Sequence, residues 1–62
     1  MQVTHNGEPT ETDAPTLGLL IGALPPGSAV AVNGELVPRA AVADRALRAG
    51  DAIEVVRAVA GG

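Results

Sequence analysis

The chain opens on an alternation. Met1, Val3 and His5 fall on one side of an extended segment and Gln2 and Thr4 on the other, the period of two that marks a half-buried strand. Asn6-Gly7 follows, the pair best suited to a two-residue hairpin, because a type I′ turn needs positive φ at both central positions. Residues 1–13 therefore read as a hairpin. Its returning strand, Glu8 to Thr12, is polar and carries Pro9, which suits the edge of a sheet. The period then changes. Leu17, Leu20, Ile21 and Leu24 recur at helical spacing behind Thr16 as N-cap, and predict a helix over 16–24 that Pro25-Pro26-Gly27 stops. Gly18 and Gly22 each cost that helix ~1 kcal/mol against Ala, so packing has to hold it.

Alternation returns at residues 29–37, with Val30 and Val32 on one face and Ala29 and Ala31 on the other. Asn33-Gly34 turns the chain into the short strand Glu35-Leu36-Val37, which Pro38 ends. Residues 39–49 mix Ala, Val42 and Leu47 with charges, as a turn of helix and loop would. After a turn at Gly50-Asp51, Ala52 to Val59 forms the last strand, with Ile53 and Val55 facing one way and Glu54 and Val56 the other. The order is β-β-α-β-β-β. That is an α+β roll in which one helix covers one face of a mixed sheet of four to five strands, and the last strand must find its place beside the first. The expected inward set is Met1, Val3, Leu17, Leu20, Ile21, Leu24, Val30, Val32, Leu36, Leu47, Ile53 and Val55.

Composition narrows what such a roll can do. At 62 residues the chain is a single domain, too small to enclose a deep substrate cavity, and a self-contained enzyme is not expected. It has no Cys, which excludes disulfides, thiolate zinc sites and iron–sulfur clusters, and its one His has no second imidazole with which to share a metal. Hydrophobic residues at 47% against 18% charged place it among folded chains, with a core of Leu, Ile, Val and Ala because aromatic residues are absent. Nucleic acid is not an expected partner on two counts: there are no aromatic stacking platforms, and the net charge of −3 repels a phosphate backbone. The apolar stretch from Leu17 to Pro26 is too short to span a bilayer, and the first residues lack the basic and apolar regions of a secretory signal. A soluble cytoplasmic protein is the expectation.

The candidate chemistry lies at the other end, in Arg57-Ala58-Val59-Ala60-Gly61-Gly62. Residues 59–62 are expected to be a flexible tail. Two residues without Cβ make a thread narrow enough for a tunnel that rejects any side chain, and the Gly62 carboxylate is unhindered. Such a carboxylate can attack the α-phosphate of ATP in another protein, and a sulfur nucleophile can then displace AMP from the acyl-adenylate. Gly61 and Ala60 would accompany Gly62 into the partner. If Ile53 and Val55 point inward, Val56 and Ala58 point out, and with Ala31 they form a small apolar outer patch near the tail. Arg39, beside Pro38, is either a solvated turn charge or a further partner contact.

In order and spacing the whole chain resembles the bacterial sulfur carrier proteins of thiamin biosynthesis, the ThiS family, which have a ubiquitin-like β-grasp fold. The matching pieces are Met1-Gln2-Val3-Thr4 with Asn6-Gly7-Glu8, the Ala14-Pro15-Thr16-Leu17 helix entry, and Val30-Ala31-Val32-Asn33-Gly34-Glu35-Leu36-Val37-Pro38-Arg39. Leu47, Gly50-Asp51-Ala52-Ile53-Glu54-Val55-Val56 and the terminal Gly61-Gly62 complete them. Val42 stands where members often carry Trp, and His5 where the strand usually presents an aliphatic residue. The resemblance implies that Gly62 is adenylated by an E1-like adenylyltransferase of the ThiF type, which uses the ATP. A cysteine desulfurase would then supply the sulfur of a thiocarboxylate, and a thiazole synthase of the ThiG type would receive it. No cofactor would be bound by the chain itself. The alternatives are the small subunit of molybdopterin synthase, a sulfur carrier of another pathway, and a non-covalent β-grasp interaction module.

Overall fold

The computed structural model describes residues 1–57 and arranges them on one mixed sheet. β1 (Gln2–His5) and β2 (Glu8–Glu11) form the first hairpin, and α1 (Leu17–Ile21) follows it. β3 (Ser28–Val32) and β4 (Glu35–Val37) form the second hairpin, and α2 (Arg39–Val42) leads to β5 (Ala52–Arg57). The strands lie in the order β2-β1-β5-β3-β4. The last strand is thus the central one, parallel to β1 and antiparallel to β3. The polar strand β2 and the three-residue β4 are left at the edges.

Pro9 fits its edge for a specific reason. The odd-numbered residues of β1 face β2 and the even-numbered ones face β5, since Thr4 and Asn6 donate to the carbonyls of Asp51 and Ile53. Pro9 is paired with Thr4, so the side of Pro9 that lacks an N–H looks out of the sheet and no ladder bond is lost.

The core is Val3, Leu17, Val30, Val32, Val42, Leu47 and Ile53, with Met1, Leu20, Ile21, Leu24 and Val55 packed half-buried against it. Leu36 departs from its expected inward place and is 73% exposed. The two-residue turn pairs Val32 with Glu35, which sets Leu36 opposite Ala31 and Val37 opposite Val30. Leu36 therefore shares the open face with Ala31, and Val37 takes the inward position beside Val30 and packs on the core.

The helix is shorter than its sequence pattern. Thr16 is the N-cap as expected, its hydroxyl accepting the Leu19 N–H at 3.3 Å, but α1 stops at Ile21 rather than Leu24. Gly22 takes a φ of 72° and donates to the Gly18 carbonyl at 2.9 Å, closing the last turn with a conformation that glycine adopts at little cost. Leu24 reaches the core from the loop instead. The helical turn expected within 39–49 is α2, which buries Val42, a residue absent from the expected core. Beyond α2 the chain runs back beside the start of α1: Leu17 donates to the Arg45 carbonyl at 2.8 Å and Leu47 to the Pro15 carbonyl at 3.0 Å. These two bonds set Leu17 and Leu47 side by side inside.

Gly18 has a packing reason that offsets its low helix propensity. A Cβ there would stand 2.7 Å from the Ala43 Cα and 2.8 Å from its carbonyl oxygen, both backbone atoms with little room to yield. Gly18→Ala is therefore expected to lower stability by about 1–3 kcal/mol, although Ala is the better helix former. Leu19→Ala, one position along and 70% exposed, should change stability by no more than ~0.5 kcal/mol. Urea titrations of the two variants against the parent check the contrast.

Candidate functional site

The site is built on the end of β5, and two asparagine side chains determine how that strand is held. Asn6 sits at φ 51° and Asn33 at φ 53°, the first positions of the two hairpin turns. Each first extends its own strand by one backbone bond to β5: Asn6 N–H donates to the Ile53 carbonyl and Asn33 N–H to the Ala52 carbonyl, both at 2.8 Å. At positive φ each backbone then turns away, and its carbonyl no longer meets the next β5 amide. The side-chain oxygen takes over. Asn6 Oδ1 accepts from Val55 N–H at 2.8 Å, and Asn33 Oδ1 accepts from Ala52 N–H at 2.9 Å. Asn33 also donates through Nδ2 to Asp51 Oδ1 at 3.0 Å, while Asp51 Oδ2 accepts the Arg48 N–H at 2.9 Å.

Of the residues proposed to meet a partner, Val56 and Ala31 lie on the open face of the sheet. Val56 is half exposed and pairs with Ala29; Ala31 pairs with Glu54 on one side and Leu36 on the other. Leu36 thus extends the apolar strip formed by Val56, Ala29 and Ala31. Arg39 is not brought to this strip. Its guanidinium donates to the carbonyls of Leu24, Pro25 and Ser28 at 2.8–2.9 Å, tying α2 to the loop that enters β3. Ser28 is in turn the partner of Arg57, so Arg39 supports the end of the sheet at which the described residues stop. Ala58, Ala60, Gly61 and Gly62 lie outside the described residues.

His5 is half-buried and lines a groove of about 350 Å³ that also takes in Ile21, Leu24, Val55 and Arg57. A larger groove of about 640 Å³ runs between α1 and α2 past Leu19 and Arg39. Among the described residues no three His, Cys, Asp or Glu side chains cluster closely enough to hold a metal ion, and no helix is long and apolar enough to cross a membrane. What these residues offer is a strand paired on both sides and exposed apolar surface at Val56 and Leu36.

The family model described as "ThiS family" matches residues 3–62, almost the full length. The chain belongs to the ThiS family. No curated protein matches it, but the solved structure of a thiamine biosynthesis protein (ThiS) from Geobacter metallireducens does, at 32% identity over the whole of both chains and with a TM-score of 0.77. The β-grasp architecture expected from the sequence is therefore shown, with five strands and two short helices.

In this ThiS-family chain the Asn-Gly-Glu-Leu-Val-Pro-Arg run divides into separate physical tasks. Asn33 clamps β5 and Asp51, Val37 packs on the core, Leu36 faces out, and Arg39 secures a loop. Asp51 does more than form the turn expected of Gly50-Asp51. It is 7% exposed. Burial pushes its carboxyl up, but the Arg48 N–H, the Asn33 amide and the nearby charges of Arg45 and Arg48 outweigh that and hold it below the ordinary carboxylate value.

Two outcomes follow. A carboxyl depressed by folding contributes stability above its unfolded value of about 3.9, and that contribution is lost as pH falls through the lower folded value. Asp51→Asn should therefore be less stable than the parent at pH 7, and thermal melts should show the gap narrowing below about pH 4. Asn6→Ala should cost about 1–3 kcal/mol, from a lost acceptor and a Cβ at positive φ, and should speed hydrogen exchange at the Val55 amide. Asn6→Asp keeps an oxygen in place and should retain most of that protection.

Proposed function

We propose that this chain is the sulfur carrier of thiamin biosynthesis, a protein co-substrate with no catalysis of its own. The observation that supports this most directly is the extent of the family match, which runs through the last strand to Gly62 and so includes the terminal Gly61-Gly62. The solved thiamine biosynthesis relative, alike over its whole length, points the same way. In this reading the Gly62 carboxylate oxygen attacks the α-phosphorus of ATP held by a ThiF-type adenylyltransferase. The bond to pyrophosphate breaks, and an acyl-adenylate remains on the chain. Sulfur delivered from a cysteine desulfurase then displaces AMP, and the resulting thiocarboxylate donates its sulfur to a ThiG-type thiazole synthase. ATP belongs to the partner, and the carrier binds no cofactor.

The described residues have a clear part in such a mechanism. β5 is held from both sides and carries Val56 on the open face, so a partner that draws in Ala60, Gly61 and Gly62 meets a firm apolar surface beside the point of departure. Docking on Val56, Ala31 and Ala58, widened by Leu36, would align the tail. Arg39 would contribute by holding the loop behind Ser28.

Removing Gly62 should leave the melting curve unchanged and abolish ATP–pyrophosphate exchange by the adenylyltransferase, because reacting atoms displaced by one residue leave attack geometry. Undiminished exchange by the truncated chain would sink the carrier reading. Val56→Asp should melt close to the parent and raise the carrier concentration needed for half-maximal exchange, since a charge at an apolar contact is desolvated without a partner. Val55→Asp, on the inward face, should lose about 2–4 kcal/mol of stability.

A further inference from the structure

On the side of β5 that faces β1, pairing runs out before the strand does. The odd-numbered residues of β5 direct their N–H and C=O groups toward β1, as the bonds of Ile53 and Val55 with Asn6 show. The even-numbered residues face β3, as the Asn33–Ala52 bond shows. β3 accompanies β5 as far as the Ser28–Arg57 pair. β1 does not, because its chain turns away at Asn6-Gly7. The Val55 carbonyl and the Arg57 N–H are the next acceptor and donor on that side, and among the described residues neither has a hydrogen-bond partner. They border the groove lined by His5, Ile21, Leu24, Ser28, Val55 and Arg57. That groove carries no carboxylate, although the chain has seven acidic residues against four basic ones.

We propose that this open edge of β5 receives an extended segment of the partner that takes the tail, which adds beside Val55 and Arg57 as a short strand. One N–H of the segment donates to the Val55 carbonyl, and one of its carbonyls accepts from the Arg57 N–H. A small or β-branched apolar side chain enters the groove against Ile21 and Leu24, and an acidic side chain of the segment meets Arg57. The proposal rests on the carrier reading, because the partner that supplies the strand is the one that draws in Gly62. A second copy of this chain is the poorer fit: the outer edge of β2 presents Pro9, which has no N–H to give, and β4 is only three residues long. The added strand would run alongside the exit of the tail, so that the contact orienting the carrier and the contact leading Gly62 to the nucleotide form one continuous surface.

The test uses the full chain made by chemical synthesis with the Arg57 amide N-methylated, which removes a donor that makes no hydrogen bond among the described residues. The variant should melt like the parent. In ATP–pyrophosphate exchange with a ThiF-type adenylyltransferase its KM should rise roughly tenfold, with kcat held within about twofold, the loss expected for one interface hydrogen bond together with the bulk of the methyl group. Independently, hydrogen exchange at Arg57 in the unmodified chain should slow about tenfold or more when that enzyme is added. An unchanged KM, or Arg57 exchange that stays fast in a complex that adenylates normally, overturns strand addition and leaves the carrier reading standing. Protection at Arg57 that grows with the concentration of the chain alone also overturns it, in favour of a second copy. Failure of the unmodified chain to support pyrophosphate exchange at all removes the carrier reading and this proposal with it.

Discussion

β5 is the last strand in sequence among the described residues and the middle strand in space, so its backbone groups must be satisfied by two hairpins that lie far before it in the chain. Each hairpin has a tight turn, and a tight turn takes its first residue to positive φ, where its carbonyl is lost to the neighbouring strand. Asparagine reconciles the two demands. It tolerates the left-handed backbone and carries a second carbonyl on its side chain, which reaches the β5 amide that the main chain has left. Glycine would make either turn as well and would leave Ala52 or Val55 without that acceptor.

The two clamps are not equivalent. Asn6 contributes one side-chain bond and faces the groove at the end of the strand, whereas Asn33 joins a network with the buried Asp51 at the beginning of it. A buried carboxylate costs desolvation, and here that cost is met by the Arg48 N–H, the Asn33 amide and two arginine charges, with none of its polar atoms left unsatisfied. The start of β5 is thus fixed by a charged joint and its end by neutral bonds. The joint fastens the strand to the 48–51 turn.

Much of this fold was legible because the signals were local. Two Asn-Gly pairs, a proline on a polar strand, a threonine before an apolar stripe and the alternation of Ile53 with Val55 each specify a neighbour within a few residues, and each took its expected place. What was misread depended on counting or on distance. Leu36 looked like core by hydrophobicity alone, but a two-residue turn conserves facing by pairs, and Val32 paired with Glu35 already implies Leu36 beside Ala31. The helix was drawn to Leu24 because the stripe continues; Gly22 ends it, and the stripe is completed by a loop residue. Asp51 and Arg39 could not be resolved from sequence, since their partners are Asn33 and the loop from Leu24 to Ser28, far along the chain.

Under the proposed carrier reading, a partner that draws on the chain beyond Arg57 would apply force along the axis of β5. Its neighbours run alongside that axis, β1 parallel and β3 antiparallel, so the load falls across all of their hydrogen bonds in shear at once and does not peel them away one by one. A strand at the edge of the sheet under the same axial load would have only one neighbour to share it. Under the carrier reading, placing β5 in the centre would let the chain beyond Arg57 be pulled, held and let go while the sheet keeps its shape.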